Sequence, residues 1–325
     1  MLIKKAVFHR EIGIQSGIVY ENMRKVINGP KVTWVDIHNP TPQDIEYLKE
    51  KFNFHPLVLG ELMPPGHRPK VEHHDDYFFM VLYYPLYNKD KKETRSRELD
   101  IIVTKDVVIT SHYRFILPLK SLFDNCNVYE ESKNLYLGET TGHLLFYILS
   151  SFWKNCLTKL EEIDKRLIEI EKEMFAGKEK EMVFEISFAK TDIINFWRII
   201  EPQGEILNSL MAEGTKFFGE DFSPYLSDIL GTYGIAWNEI KTYKETILAL
   251  EDTNQSLLST KANEIIRVLT VFSVVVLPLT LIASIWGMNV IVPLAESPFG
   301  FWEIVGGMTV ILIAMFAFFH KKKWI

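Results

Sequence analysis

The chain has almost no cysteine. Cys126 and Cys156 are its only two, which excludes a disulfide scaffold and a cysteine-based zinc module. The expectation is two reduced, buried thiols in a reducing compartment. No GxxxxGK[ST] phosphate loop, HExxH helix or GxSxG nucleophile turn occurs, so neither nucleotide-driven nor hydrolytic chemistry is expected and the chain does not read as an enzyme. There is no basic excess either. The net charge of −6 gives no reason to expect nucleic acid as a partner. The first residues, MLIKKAVFHR, lack the apolar core of a secretory signal. Residues 1–260 are therefore expected to stay in the cytoplasm.

Three further absences are local. No proline lies between Pro224 and Pro278, which permits one very long helix from Ser223 to Ile285. No charged residue lies from Val268 to Ile285. These 18 residues, as a helix, span about 27 Å, close to the hydrocarbon thickness of a bilayer. No Lys or Arg lies in the connection from Val290 to Trp302. Overall, 47% of residues are hydrophobic and 24% charged, as in soluble proteins, so the membrane character is confined to the C-terminal part.

The uncharged span is not uniformly apolar. Thr270, Ser273, Leu277, Thr280 and Ser284 recur at steps of three and four and share one helix face. Such a stripe calls for protein or water on one side and lipid on the other. Asn263 extends its line of oxygens. Leu277, with Ile266 or Leu269, interrupts it with apolar rings that can gate by excluding water, or that simply pack. Pro278 can bend the helix there. A second span, Ile304 to Phe319, is apolar all round, and its Gly306 and Gly307 allow close helix contact. Trp302 and Trp324 stand where interfacial aromatics belong. Lys261 and Arg267 precede the hairpin and Lys321 to Lys323 follow it. The positive-inside rule then places both termini in the cytoplasm and the loop outside.

Upstream, residues 1–140 read as an α/β domain. Its strands are expected around Trp34, from Tyr77, from Leu99 and from Asp106. Between the first two, Thr41 caps a helix with Pro42 at its first position and Asp44 in its first turn. Asn88 to Glu93 reads as a hairpin connection. His73, His74, Asp75 and Asp76 look like a metal cluster, but neighbours in a strand point to opposite faces, which favours a solvated strand entry. Residues 141–222 read as paired helices, the first ended by Gly177 and the second near Pro202. The acidic run from Glu161 to Glu173 is a solvated face. On the long helix, Ile240, Ile247, Leu250 and Leu257 approximate a 3.5-residue repeat, with Asn254 and Lys261 near it. That seam is expected to face other copies of the chain around an axis.

One tripeptide, Gly287-Met288-Asn289, closes the first span, and it precedes a short loop, a second span and a basic tail. In this position it resembles the signature of the CorA family of magnesium and divalent-cation transporters, and the resemblance covers nearly the whole chain. It implies an α+β cytoplasmic domain, a long stalk helix and two C-terminal transmembrane helices, assembled as a funnel-shaped homopentamer in the cell membrane. The implied parts are residues 1–140, 141–222, the stalk and first span 223–287, the external loop 288–303, the second span 304–319 and the tail 320–325. The motif's Asn is the selectivity position, here Asn289, although a helix cap is its simplest structural role. Gly287 would permit the turn and Met288 would pack it.

The family often has methionine where Leu277 and Ile266 stand, and aromatic residues where Trp286 and Val290 stand. In the family, cytosolic magnesium binds between subunits and holds the pore closed. Asp228 matches one regulatory acid. Its partner position falls at about Asn88, with Asp90 nearby, and a solvated acid is the plainer role for Asp228. Mg2+ is thus the implied transported and regulatory ion, with Co2+ or Ni2+ as other cargo. A zinc-transporting branch shares the architecture but generally varies the middle motif residue, so Met288 argues for magnesium. A membrane-anchored sensor without ion flux is the rival of another class.

Overall fold

In a computed structural model, the described residues are 23–64, 66–88, 93–289, 292–293, 298–322 and 324. The chain divides into two compact units. One comprises residues up to 169 together with 186–248, the other residues 170–185 with 249–325.

The first unit is built on a six-stranded sheet. Its strands are β1 (Met23–Asn28), β2 (Thr33–His38), β3 (Lys70–His73), β4 (Phe78–Asn88), β5 (Glu93–Val103) and β6 (Val107–His112), in spatial order β1-β2-β6-β5-β4-β3. β2 and β6 run parallel and every other pair is antiparallel. β2, β4 and β6 stand where the Val, Ile, Tyr and Phe runs place them, while β5 begins at Glu93, ahead of the expected Leu99. β1 and β3 lie at the two edges, where the charge-bearing sequence, largely exposed in β1 and half-buried in β3, carries little alternation. β4 and β5 pair from Asn88↔Glu93 to Phe78↔Val103, as a hairpin requires. Its turn, with Asp90, lies outside the described residues.

Helices cover both sheet faces. α1 (Pro42–Lys51) begins with a complete capping box: Asp44 N donates to Thr41 Oγ1 and Thr41 N donates to Asp44 Oδ2. With α2 (Pro56–Glu61) it buries Leu48, Val58, Leu59 and Leu62 on Val35, Ile37, Phe79, Val81 and Ile102. On the other face, α3 (Leu117–Val128) sets Phe123 edge-on to Trp34, and α5 (Thr141–Glu173) sets Phe152 against Tyr84. α4 (Glu130–Leu137) links these two. Next come α6 (Glu179–Ile200) and α7 (Gln203–Phe218), whose Gln203 accepts from Tyr83 N. The alternation of strand side chains sends Trp34 to one face and Val35 to the other, so each strand serves both layers.

Asp100 on β5 is only 1% exposed, and neither carboxylate oxygen has a hydrogen-bond partner among the described residues. Burial, with Glu98 and Glu61 close by, pushes its carboxyl well above the usual carboxylate range, against the weaker pull of Lys70. The folded state therefore holds this proton more tightly than the unfolded chain. The resulting stability is greatest at low pH and is lost as pH rises from the ordinary carboxylate value towards the raised one. Asp100→Asn should accordingly raise the thermal midpoint of the purified protein at pH 7, by the equivalent of about 1–3 kcal/mol. The gain should vanish near pH 3. Equal midpoints at both pH values would refute it.

The second unit holds a turn, the part of one long helix from residue 249 onward and the helix that follows it. Gly177, at φ 94°, breaks the path between α5 and α6, since this left-handed backbone costs glycine little. α8 (Ser223–Trp286) is one continuous helix through Pro278, and α9 (Gly300–Lys321) follows it. Beside the turn, Glu179 is 3% exposed and is ion-paired with Lys261 of α8, which holds its carboxyl below the usual range. Asn254 Nδ2 donates to the Glu179 carbonyl at 3.0 Å, and Lys261 Nζ to that of Gly177 at 3.4 Å.

These contacts correct the expected seam. Ile240, Ile247, Leu250 and Asn254 are buried within their own chain. These four are therefore not open to other copies of the chain, whereas Leu257 is only half-buried. The 3.5-residue repeat records helix packing, and packing within one chain leaves the same trace in a sequence as packing between chains.

Candidate ion path along the C-terminal helical hairpin

Both α8 and α9 contain stretches long and apolar enough to cross a membrane. They meet through Val271 and Val275 of α8 and Leu312, Met315 and Phe319 of α9. At about 100° per residue, the stripe residues Thr270, Ser273, Leu277, Thr280 and Ser284 centre roughly 180° from Val271 and Val275. α9 therefore covers the side of α8 opposite the stripe. Asn263, Ile266, Leu269, Thr270, Ser273, Leu277, Thr280 and Ser284 are all exposed in the single chain, with Leu277 at 66%. Sequence periodicity predicts a shared face. The packing of α9 on Val271 and Val275 leaves this face uncovered, together with apolar neighbours such as Phe272 and Leu281.

The stripe hydroxyls have a defined polarity. Thr270 donates to Ile266 O at 2.7 Å, Ser273 to Leu269 O at 2.9 Å and Thr280 to Val276 O at 2.8 Å. Each hydroxyl has one proton, which these bonds engage, so the outward lone pairs remain as acceptors. Outward acceptors at these three positions suit the water shell of a cation, whose hydrogens point outward. Pro278 removes one N–H from the same helix, leaving the carbonyl four residues earlier without its usual donor.

α8 ends at the motif. Gly287 N donates to Ala283 O at 3.0 Å and Met288 N to Ile285 O at 3.3 Å. The requirement for glycine is not the expected one. Gly287 does not adopt a positive φ, but a Cβ there would lie 3.2 Å from Ala283 O, tighter than side chains normally tolerate. Met288 is 56% exposed and does not pack the turn within one chain. Asn289 lies beyond the last helical hydrogen bonds, exposed and without the left-handed backbone of an asparagine cap. The cap role is therefore not what holds an asparagine here. Gly306 and Gly307 also differ from expectation. A Cβ at either would meet nothing within 4 Å, so the contact between α8 and α9 does not use them.

The regulatory candidates lie in the first unit. Asp228 is exposed on α8, and Asn88 is half-buried at the end of β4 opposite Glu93. Asp90 is outside the described residues. The His73–Asp76 run diverges: His73 lies 3.5 Å from Glu213, while His74 stacks on Tyr77. Among the described residues, no three His, Cys, Asp or Glu side chains converge to hold a metal.

The chain thus combines an α/β unit, one long helix and two helices long and apolar enough to cross a membrane. Residues 30–321 match the family described as CorA-like Mg2+ transporter protein, and the chain belongs to that family of divalent-cation transporters. It is 29% identical over 297 residues to the cobalt/magnesium transport protein CorA of Thermotoga maritima, covering 90% of this chain and 83% of that one. It is also 17% identical over 324 residues to the zinc transport protein ZntB of Yersinia pseudotuberculosis, covering 99% and 97%. Among solved structures, the CorA magnesium transporter of Methanocaldococcus jannaschii superposes with a TM-score of 0.77 at 22% identity, over 91% of this chain and 92% of that one. That likeness establishes the fold.

Proposed function

We propose that the protein is a homopentameric channel for inward movement of magnesium, with cobalt or nickel as further cargo. The observation that carries this reading is the stripe of hydroxyl acceptors on the face of α8 turned away from α9. A polar face within a membrane span is costly against lipid. Copies arranged around an axis would give each stripe a shared, water-filled path. The pentamer itself rests on the family resemblance. The loop 288–303 then lies outside and the tail 320–325 inside, in accord with the positive-inside rule.

Magnesium is small and sheds its water reluctantly. A ring of Asn289 amides at the outer mouth would accept hydrogen bonds from the hydrated ion, so selection needs no dehydration. Ser284, Thr280, Ser273, Thr270 and Asn263 would continue the acceptor wall. Leu277, with Ile266 or Leu269, would form the apolar constrictions. The membrane potential drives the flux. A divalent cation moving inward through 100 mV yields about 4.6 kcal/mol, twice the single-charge value.

Zinc is the second reading, supported by the full-length similarity to a zinc transport protein. Met288 in the motif favours magnesium. Proteoliposomes containing the purified protein should take up magnesium faster than zinc, and zinc uptake without magnesium uptake would reverse the assignment.

Closure would come from internal magnesium held between subunits by hard oxygen donors, Asp228 of one and Asn88 or Asp90 of the next. Those donor types fit the ion. In the same vesicles, Asp228→Ala should raise the internal magnesium needed for half-block by about tenfold, the effect of losing one charged contact. An unchanged block would remove Asp228 from the site.

A further inference from the structure

Asn289 has no helix to hold it, because the hydrogen bonds of α8 stop at Met288. A recognition ring nevertheless needs its acceptors held to within roughly 0.5 Å. The side chain immediately before the motif supplies a tether. Trp286 Nε1–H donates to the carbonyl of Pro293 at 2.9 Å, across the motif and seven residues along the chain. That bond ties the end of α8 to a residue on the far side of Gly287, Met288 and Asn289 in the sequence. The indole ring is half-buried.

We infer that Trp286 is a positioning residue for the Asn289 mouth, acting through its indole N–H as a clasp on Pro293. The inference rests on the proposed role of Asn289 in selecting the ion. Closing a short loop removes backbone freedom before the ion arrives, so less ordering is required at binding. The clasp touches no ion itself. Its contribution should therefore appear in the concentration at which the mouth saturates and leave the rate through the filled path nearly unchanged. A tryptophan that served only as an interfacial anchor would direct its N–H to lipid headgroups or water and would have no effect on saturation.

The test compares magnesium uptake by full-length protein in liposomes across a range of external magnesium. Trp286→Phe keeps an aromatic ring and loses the donor. Incorporation of 3-benzothienylalanine at position 286 keeps the full bicyclic shape and loses only the N–H, so it isolates the bond even if the phenylalanine variant assembles poorly. Either change should raise the half-saturating magnesium concentration about three- to tenfold, as loss of one neutral hydrogen bond predicts. The maximal rate should stay within about twofold. An unchanged half-saturating concentration with the benzothienyl side chain, beside an inactive Asn289→Ala control, would overturn the clasp and leave the mouth in place. Wild-type uptake by Asn289→Ala would overturn the mouth, and the clasp with it.

Discussion

Asn289→Ala is expected to abolish magnesium uptake while leaving the assembled protein intact. Asn289 is exposed beyond the end of α8 and makes no helix cap, so its removal leaves no packing defect and no frayed helix. The same substitution would remove one amide acceptor from every subunit. In a five-membered ring, at about 1 kcal/mol for each hydrogen bond to the hydrated ion, the loss approaches 5 kcal/mol, more than a thousandfold in occupancy. Uptake by cells and by proteoliposomes should fall to background, with oligomeric state and thermal midpoint near wild type. Full uptake by the variant would end the assignment of Asn289. Collapse of the oligomer would instead show a structural role.

The second large effect concerns the two faces of α8. Cysteine introduced at Ser273 or Thr280 should make flux sensitive to a water-soluble thiol reagent, with block above about 90% after complete modification, because a bulky adduct in a constriction excludes water and ion together. Cysteine at Val271 or Val275 should leave flux unaffected, since both are buried against α9. The native background is suitable without alteration. Cys126 and Cys156 are buried free thiols, and burial pushes Cys126 up to about 11 and raises Cys156 as well. Neither presents a thiolate near neutral pH. Equal block at positions 273 and 275 would mean that the stripe does not line the path.

Much of this was legible in the residues. Charge-free length marks the first span, and steps of three and four mark its polar face. Thr41, Pro42 and Asp44 announce a helix start, because cap chemistry is local and needs only three neighbouring residues. The central strands β2, β4, β5 and β6 are visible as β-branched and aromatic runs. The edge strands β1 and β3 are not, since an edge exposes half its side chains to water and loses the apolar pattern. α7 is not visible there either, hidden by Pro202 and a mixed composition, and its Gln203 meets the sheet at Tyr83.

The tertiary structure decided the remainder. Ile240, Ile247 and Leu250 carry a repeat that fits an oligomeric seam equally well, and only their burial within one chain assigns them. Asn254 and Lys261 read as polar members of that seam, yet they anchor the turn at Gly177 through Glu179, a partner some 75 residues away in sequence. The closeness of Ala283 O to a Cβ at 287, 3.2 Å, is likewise a matter of contact, since the backbone there is not left-handed. The sequence by itself determined the two spans and the existence of a polar stripe, because each follows from local composition and helical periodicity, and its Gly287-Met288-Asn289 motif carried the resemblance to the family. The fold alone decided which way that stripe faces and that Trp286 reaches Pro293. Both depend on where a second segment comes to lie, and helix periodicity carries no information about that.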